Sequence, residues 1–175
     1  MACPETCTYL QDASLRAGQR DAQLSMKDPG LNRAITEATE RSLPLLFVVQ
    51  GAILNAYRGI KGGPLRDLKD AEILDAVDNA IKNLETEESG LIYQHQAPTP
   101  RVDALSRGIR EALDDISERT PPDSRLRRSE VLKLLELVRA WVDAYIRNGE
   151  DDNSYLRHIS LFTAWPSELT RPLII

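Results

Sequence analysis

The sequence predicts an all-α fold: a single-domain bundle of about five to six helices. In several segments apolar residues recur at three- and four-residue steps, which places them on one face of a helix. Aromatic residues make up only 5% of the chain, and the β-forming residues are not concentrated in alternating runs. The 175 residues are enough for one domain with its own core and too few for two ordinary domains.

The N-terminal segment, residues 1–27, shows little hydrophobic periodicity. We expect it to be partly ordered, or to form only a weak helix over about 9–22. The helical bundle domain is therefore assigned to 28–175. Cys3 and Cys7 both lie in the N-terminal segment, where a disulfide could close only a trivial loop and would not cross-link the core.

The bundle domain begins with a helix at Asp28 and Pro29, because proline fits the first turn of a helix, where its missing N–H costs nothing. Pro44 then either kinks this helix or separates it from a second helix over about 45–58. The residues of the first helix that we expect to face inward are Leu31, Ile35 and Ala38.

A further helix is predicted over 70–88, after a glycine-rich break at 59–64. Asp70, Glu72 and Asp75 are expected in its first turn, where negative charge offsets the positive end of the helix dipole. The buried face is expected to consist of Ile73, Leu74, Val77, Ala80, Ile81 and Leu84.

The two clearest helices are predicted over 99–119 and 129–148. Thr99 is expected to cap the first, with Pro100 following it in the first turn. In the second helix, Ser129 is expected to be the N-cap, and Gly149 is expected to end the helix in a left-handed conformation. Asp143 and Arg147 are spaced to form an ion pair one turn apart.

Two segments complete the chain. Residues 91–98 have an alternating pattern followed by proline, which predicts a short extended connector between two helices. A short final helix is expected over about 153–163, before Trp165 and Pro166 and an apolar tail at 172–175.

The charge balance argues against a nucleic-acid partner. The net charge is −5 and the pI is about 5.1, so the chain as a whole repels phosphate backbones. Arg125, Arg127 and Arg128 form a local basic cluster that keeps a nucleic-acid-associated regulator as one alternative function. The helix after this cluster is too apolar for a recognition helix, which needs a polar outer face to reach base edges.

No metal site or cofactor is expected. Cys3, Cys7, His95 and His158 have the composition of a Cys₂His₂ zinc site, but they lack paired-ligand spacing. A membrane partner is also not expected, because the longest apolar run, 43–57, is shorter than the roughly 20 residues that a membrane span needs.

Tyr93 and His95 supply a second alternative, a small-molecule or hydrolytic site. A histidine in an extended connector could act as a general base, since its ordinary pKa is near 6.5. Catalysis would also need an orienting carboxylate and a nucleophile or water, and nothing nearby in sequence supplies them.

The preferred function is a non-enzymatic helical interaction or scaffold domain that self-associates. The apolar helix faces, together with Phe162, Trp165 and the tail that ends at Ile175, offer more apolar surface than a minimal bundle requires. A homodimer or another protein is therefore the expected partner. The cytoplasm is the expected location, because the start of the sequence has no basic region followed by an apolar stretch.

Overall fold

The computed structural model describes residues 8–38, 43–59, 65, 67–88, 95–149 and 151–162. Within these ranges the chain forms seven α-helices and no strand, which confirms the all-α prediction. The helices are α1 (Thr8–Lys27), α2 (Pro29–Glu37), α3 (Leu43–Arg58), α4 (Asp70–Glu88), α5 (Pro100–Arg119), α6 (Arg128–Asn148) and α7 (Ser154–Phe162). A short 3-10 turn, Pro122–Ser124, lies between α5 and α6.

Helix α6 is the centre of the bundle, because it packs against α2, α3, α4 and α7. Its apolar residues cover more than one face, which is why it can contact neighbours on opposite sides. The main core is formed by residues of α3, α4, α5, α6 and α7. Its fully buried members include Val49, Ile53, Ile73, Ala76, Val77, Ala80, Ile109, Leu135, Val138, Val142, Tyr155 and Ile159.

A second, smaller cluster lies on another face of α6. Leu31 of α2 packs there against Leu137 and Ala144, and Leu24 of α1 is partly buried beside them. The ion pair from Arg147 to the buried Asp28, at 2.8 Å, holds the start of α2 to the same helix. Helix α2 is therefore attached to the domain through α6, and α1 is attached through α2 and α7.

The start and end signals of the early helices are mostly as predicted. The Asp28 carboxylate accepts hydrogen bonds of 3.0 Å from the backbone N–H groups of Gly30 and Leu31, and Pro29 occupies the first turn. Helix α3 begins at Leu43, so Pro44 lies at the start of a separate helix rather than at a kink. Ile35 does not face inward as predicted, since 41% of it is exposed.

Helix α6 ends at Asn148 as predicted, but the predicted N-cap and the predicted conformation of Gly149 are wrong. The helix begins at Arg128, and the residue before it, Arg127, donates its backbone N–H to the Glu130 carboxylate at 2.8 Å. Ser129 therefore lies inside the first turn and is not the cap. Gly149 is extended, with φ −79° and ψ 164°, and not left-handed.

The predicted connector is described from residue 95 onward, where 95–99 contain no helix or strand. Thr99 then caps α5 as predicted, by accepting a hydrogen bond of 3.2 Å from the Val102 N–H. Tyr93 and the rest of 91–94 lie outside the described residues. Among the helices that are described, none combines the length and the apolar character that a membrane crossing requires.

Candidate functional site

His95 is held by a network of buried amides between α4 and α5. Its backbone N–H donates to the Asn83 side-chain oxygen at 2.7 Å, and its carbonyl accepts from the Asn79 amide at 2.9 Å. Asn83 also donates to Asn79 at 3.0 Å, and Ser106 donates to the same Asn79 oxygen at 3.0 Å. Because buried polar groups are costly unless they are hydrogen-bonded, this network fixes the connector against α4.

The imidazole ring of His95 is oriented by Thr86. Its Nε2 lies 2.8 Å from the Thr86 hydroxyl, and that hydroxyl donates its own proton to the Lys82 carbonyl at 2.8 Å. While the hydroxyl donates to this carbonyl it can only accept from the histidine, an arrangement that has the ring proton on Nε2. A general base accepts its proton on a nitrogen with a free lone pair, and in this arrangement Nε2 has none.

The predicted basic cluster is divided among different contacts. Arg128 donates to the Glu87 carboxylate at 2.7 Å, and Arg110 of α5 donates to the other oxygen of the same carboxylate at 2.6 Å. Arg125 donates to the Thr120 carbonyl at 3.0 Å. Arg127 is exposed. Glu87 therefore joins α4, α5 and α6, and Arg128 acts in part as a structural cation.

The sequence predicted a role for Asp70 only within its own helix, α4, but its side chain also contacts α7. Its carboxylate is buried and accepts hydrogen bonds from the backbone N–H groups of Tyr155, at 2.7 Å, and Leu156, at 3.1 Å. Burial raises the pKa of Asp70, and these two hydrogen bonds lower it by less. Asp70 thus caps α7 from the first turn of α4, a role that local sequence cannot reveal.

His158, which entered the sequence analysis only as a candidate metal ligand, lies among aromatic rings. It is buried, and its ring stacks on Tyr145 with centroids 4.9 Å apart and an interplanar angle of 26°. Trp141 lies on α6 near the same ring, with centroids 6.3 Å apart. The part of the chain described here contains no group of three or more possible metal ligands, and Cys3 and Cys7 lie outside it.

A cleft with a volume of about 510 Å³ lies between α2 and α6. Its apolar lining consists of Ala34, Leu74 and Ala140, and its charged lining includes the cations Arg33 and Lys133 beside acidic residues. Arg147, on the same wall, is already paired with Asp28 and Asp143 at 2.8 Å each. The mixture of signs selects no single class of ligand.

The outer face of α1 carries the most exposed large apolar side chains among the described residues. Leu15 is 64% exposed and Met26 is 81% exposed. The two positions are eleven residues apart, which corresponds to about three helical turns, so both side chains lie on one face, with Gly18 and Ala22 between them. We call Leu15, Gly18, Ala22 and Met26 the α1 stripe.

The α1 stripe was not found in the sequence analysis, because 1–27 was treated as weakly ordered. The available signal was the recurrence of Leu15, Ala22 and Met26 at steps of seven and four residues, which is the spacing of one helix face. Leu24, which points away from the stripe, is partly buried beside Leu31 of α2.

A comparison with models of known protein families, with curated proteins and with solved structures finds no match to this chain. The roles of individual residues are therefore inferred from this chain alone.

Proposed function

We propose that this chain is a non-enzymatic helical interaction domain, and that it self-associates through the α1 stripe. The observation that carries the proposal is the exposure of Leu15 and Met26, at 64% and 81%, on one face of one helix. Burying a leucine or methionine side chain contributes about 1.5–3 kcal/mol, and this stabilisation is not used within the described part of the domain. A second protein surface would recover it.

The surroundings of the stripe fit an interface. Asp12, Arg16, Gln23 and Lys27 are exposed on α1, so a polar rim with both signs of charge borders the apolar residues. An apolar centre with a polar rim is the usual anatomy of a protein–protein contact. The proposed partner is a protein, so the proposal includes neither a basic face that binds nucleic acid nor an apolar helix that enters a membrane.

The polar residues that suggested chemistry serve the fold instead, which supports a non-enzymatic role. His95 is held by Asn79, Asn83 and Thr86, and Arg128 is paired with Glu87. These contacts fix a connector and join three helices. The Tyr93/His95 hydrolytic site and the Arg125–Arg128 nucleic-acid site remain predictions that no observation favours over association.

Sedimentation equilibrium tests the proposal. The full chain is expected to show a reversible, concentration-dependent dimer, and Leu15→Glu is expected to raise its dissociation constant at least about tenfold, because a carboxylate would be buried against an apolar surface. Ile146→Glu is the matched control, since Ile146 is a similarly apolar residue, 40% exposed, on α6. A chain that stays monomeric up to millimolar concentration would refute self-association.

A cytoplasmic location is a further part of the proposal. Imaging of the tagged full chain in its native host would test it: diffuse cytoplasmic signal is expected, and signal confined to another compartment would contradict it.

A further inference from the structure

We infer that Asn148 and Gly149 form a site of spontaneous covalent modification, at which Asn148 loses ammonia and becomes isoaspartate or aspartate. The last turn of α6 sets the rate of this reaction, because it holds the two reacting groups apart. The site lies outside the α1 stripe and does not depend on self-association.

The reaction is an attack of the Gly149 backbone nitrogen on the side-chain carbonyl carbon of Asn148. A bond forms between this nitrogen and Cγ, the bond from Cγ to Nδ2 breaks, and Nδ2 leaves as ammonia with the proton that the backbone nitrogen loses. Water then opens the cyclic imide at either of its carbonyl carbons. Opening at the main-chain carbonyl gives isoaspartate, in which the backbone runs through the former side chain, and opening at Cγ gives aspartate.

The sequence offers this reaction one favourable position. Asn148 is the only asparagine in the sequence that is followed by glycine. Because glycine has no side chain, nothing blocks the approach of its backbone nitrogen to the preceding residue. Both residues are exposed at the end of α6, where water reaches the imide. Asn79 and Asn83, by contrast, are buried and are followed by residues that carry side chains.

In the folded chain the reacting groups of Asn148 and Gly149 are held apart. The Gly149 N–H donates to the Tyr145 carbonyl at 2.6 Å, as in a continuing helix. The Asn148 amide nitrogen donates to the Ala144 carbonyl at 2.8 Å, so its side chain runs back along α6 and away from Gly149. Attack therefore requires both hydrogen bonds to break, which means that the last turn of α6 must open.

The last turn of α6 can open without unfolding the domain. Residues 146–149 are all exposed, so opening this turn uncovers little buried apolar surface. Arg147 holds the turn from outside, because it pairs with Asp28 and Asp143 at 2.8 Å each. The rate of modification in the folded chain is then the rate in the open turn multiplied by the fraction of molecules in which the turn is open.

Modification would weaken the junction of α6 and α7. Either product loses the amide that donates to the Ala144 carbonyl and places a carboxylate at the negative end of the helix dipole. Isoaspartate also lengthens the backbone at a crowded turn, where a Cβ on Gly149 would already lie 2.5 Å from the Ser154 hydroxyl oxygen. Because α7 supplies the buried Tyr155 to the main core, the change affects the stability of the domain.

Peptide mapping by mass spectrometry tests the site. The full chain is incubated at mildly alkaline pH in buffer and in guanidinium chloride, and the products at Asn148 are compared with those at Asn55. Asn55 is the internal control, because it is also exposed in the last turn of a helix but is followed by alanine. We expect isoaspartate at position 148 and much less at 55, with a rate in buffer about five- to thirtyfold below that in guanidinium. No isoaspartate at 148 in buffer, or equal rates at the two positions, would overturn the site.

Arg147→Ala tests whether the last turn of α6 sets the rate. Loss of both ion pairs should speed the modification of Asn148 about three- to tenfold in buffer and leave the rate in guanidinium unchanged. Arg139→Ala is the matched control, since Arg139 pairs with Asp78 at 2.5 Å in the middle of the same helix. An unchanged rate in Arg147→Ala, or equal acceleration by both variants, would overturn control by the last turn.

Asn148→Asp reproduces one of the two products and tests the effect on the junction. Its equilibrium constant for unfolding in urea should exceed that of Asn55→Asp about three- to tenfold, because the two variants make the same change of charge in the last turn of a helix but only Asn148 bonds the Ala144 carbonyl across the α6 end. Equal constants for the two variants would overturn the predicted weakening of the α6–α7 junction.

Discussion

Asp70 caps a helix that begins 84 residues after it in the chain. Its carboxylate accepts hydrogen bonds from the backbone N–H groups of Tyr155 and Leu156, at 2.7 and 3.1 Å. The backbone N–H of Asp70 itself donates to the Asp152 carbonyl at 2.8 Å. The start of α4 and the start of α7 are therefore joined by three hydrogen bonds, two of which satisfy N–H groups that a helix leaves without partners.

Replacing Asp70 by alanine should destabilise the domain by about 1–3 kcal/mol, because two buried N–H groups lose their acceptor. Equilibrium unfolding in urea, followed by circular dichroism, measures this change. Asp75→Ala is the control, since Asp75 lies on the same helix and is exposed; its effect should stay within about 0.5 kcal/mol. Equal effects of the two variants would refute the capping role.

Two neighbouring carboxyl groups are expected to titrate in opposite directions. Burial raises the pKa of Asp70 above its ordinary value of 3.8. Hydrogen bonds from the Asn153 N–H and from Arg157 lower the pKa of Asp151 below 3.8. The chemical shifts of the side-chain carboxyl carbons, followed by NMR between pH 2 and 7, would measure both pKa values. Two pKa values displaced from 3.8 in the same direction would contradict this electrostatic description of the α4–α7 junction.

The raised pKa of Asp70 also has a consequence for stability. The folded protein holds this proton more tightly than the unfolded chain does, so protonation of Asp70 favours folding. Relative to Asp70→Asn, the wild type should therefore gain unfolding free energy as the pH falls from the folded pKa of Asp70 towards 3.8. Urea unfolding of both proteins at several pH values measures the difference. A relative loss over that range would contradict the raised pKa.

Local sequence signals predicted the helices well, because a helix depends mostly on contacts three and four residues apart. The predicted bounds 70–88 coincide with α4, and Asp143 pairs with Arg147 at 2.8 Å. The predicted cap at Ser129 was wrong because Glu130 accepts a hydrogen bond from the Arg127 N–H and the helix begins at Arg128, one residue before Ser129.

The candidate site was predictable only in part. His95 could be singled out from its residue type and its place in a connector, but its partners lie nine to sixteen residues away on α4. Asn79 and Asn83 occur on the buried side of that helix, where periodicity alone treats a polar residue as an interruption. Which groups they bond depends on how the connector returns over α4, and that is set by packing.

Asn79 should be the most sensitive residue of the amide network. Asn79→Ala removes one donor and one acceptor and leaves Asn83, Ser106 and the His95 carbonyl without bonds that they now make. We expect a loss of about 2 kcal/mol or more in unfolding free energy, by urea denaturation.

Two further measurements test the Asn79 prediction. In a double-mutant cycle, Asn79→Ala and Ser106→Ala should couple by about 0.5–1 kcal/mol, because they share a hydrogen bond. Asn55→Ala, at an exposed position of α3, is the control and should have little effect. Additive effects of Asn79 and Ser106 would contradict the network.

Two glycines should respond to alanine with opposite signs. At Gly149 a Cβ would lie 2.5 Å from the Ser154 hydroxyl oxygen and closer still to the Tyr145 carbonyl, so the turn from α6 to α7 must shift. Its φ of −79° is accessible to any residue, so space and not backbone conformation selects glycine there. Gly149→Ala should cost about 1–3 kcal/mol.

Gly108 is the matched position. It lies in the interior of α5, and a Cβ there would meet nothing within 4 Å. Alanine loses less backbone freedom on folding than glycine does, so Gly108→Ala should stabilise the domain by about 0.5–1 kcal/mol. Thermal and urea unfolding of both variants measure the two signs. The prediction for Gly108 depends on free space around a new Cβ, and the prediction for Gly149 depends on the lack of it. If both alanine variants were destabilised, α5 would be packed more tightly around Gly108 than described. If both were stabilised, the α6–α7 turn would be able to relax around the new Cβ.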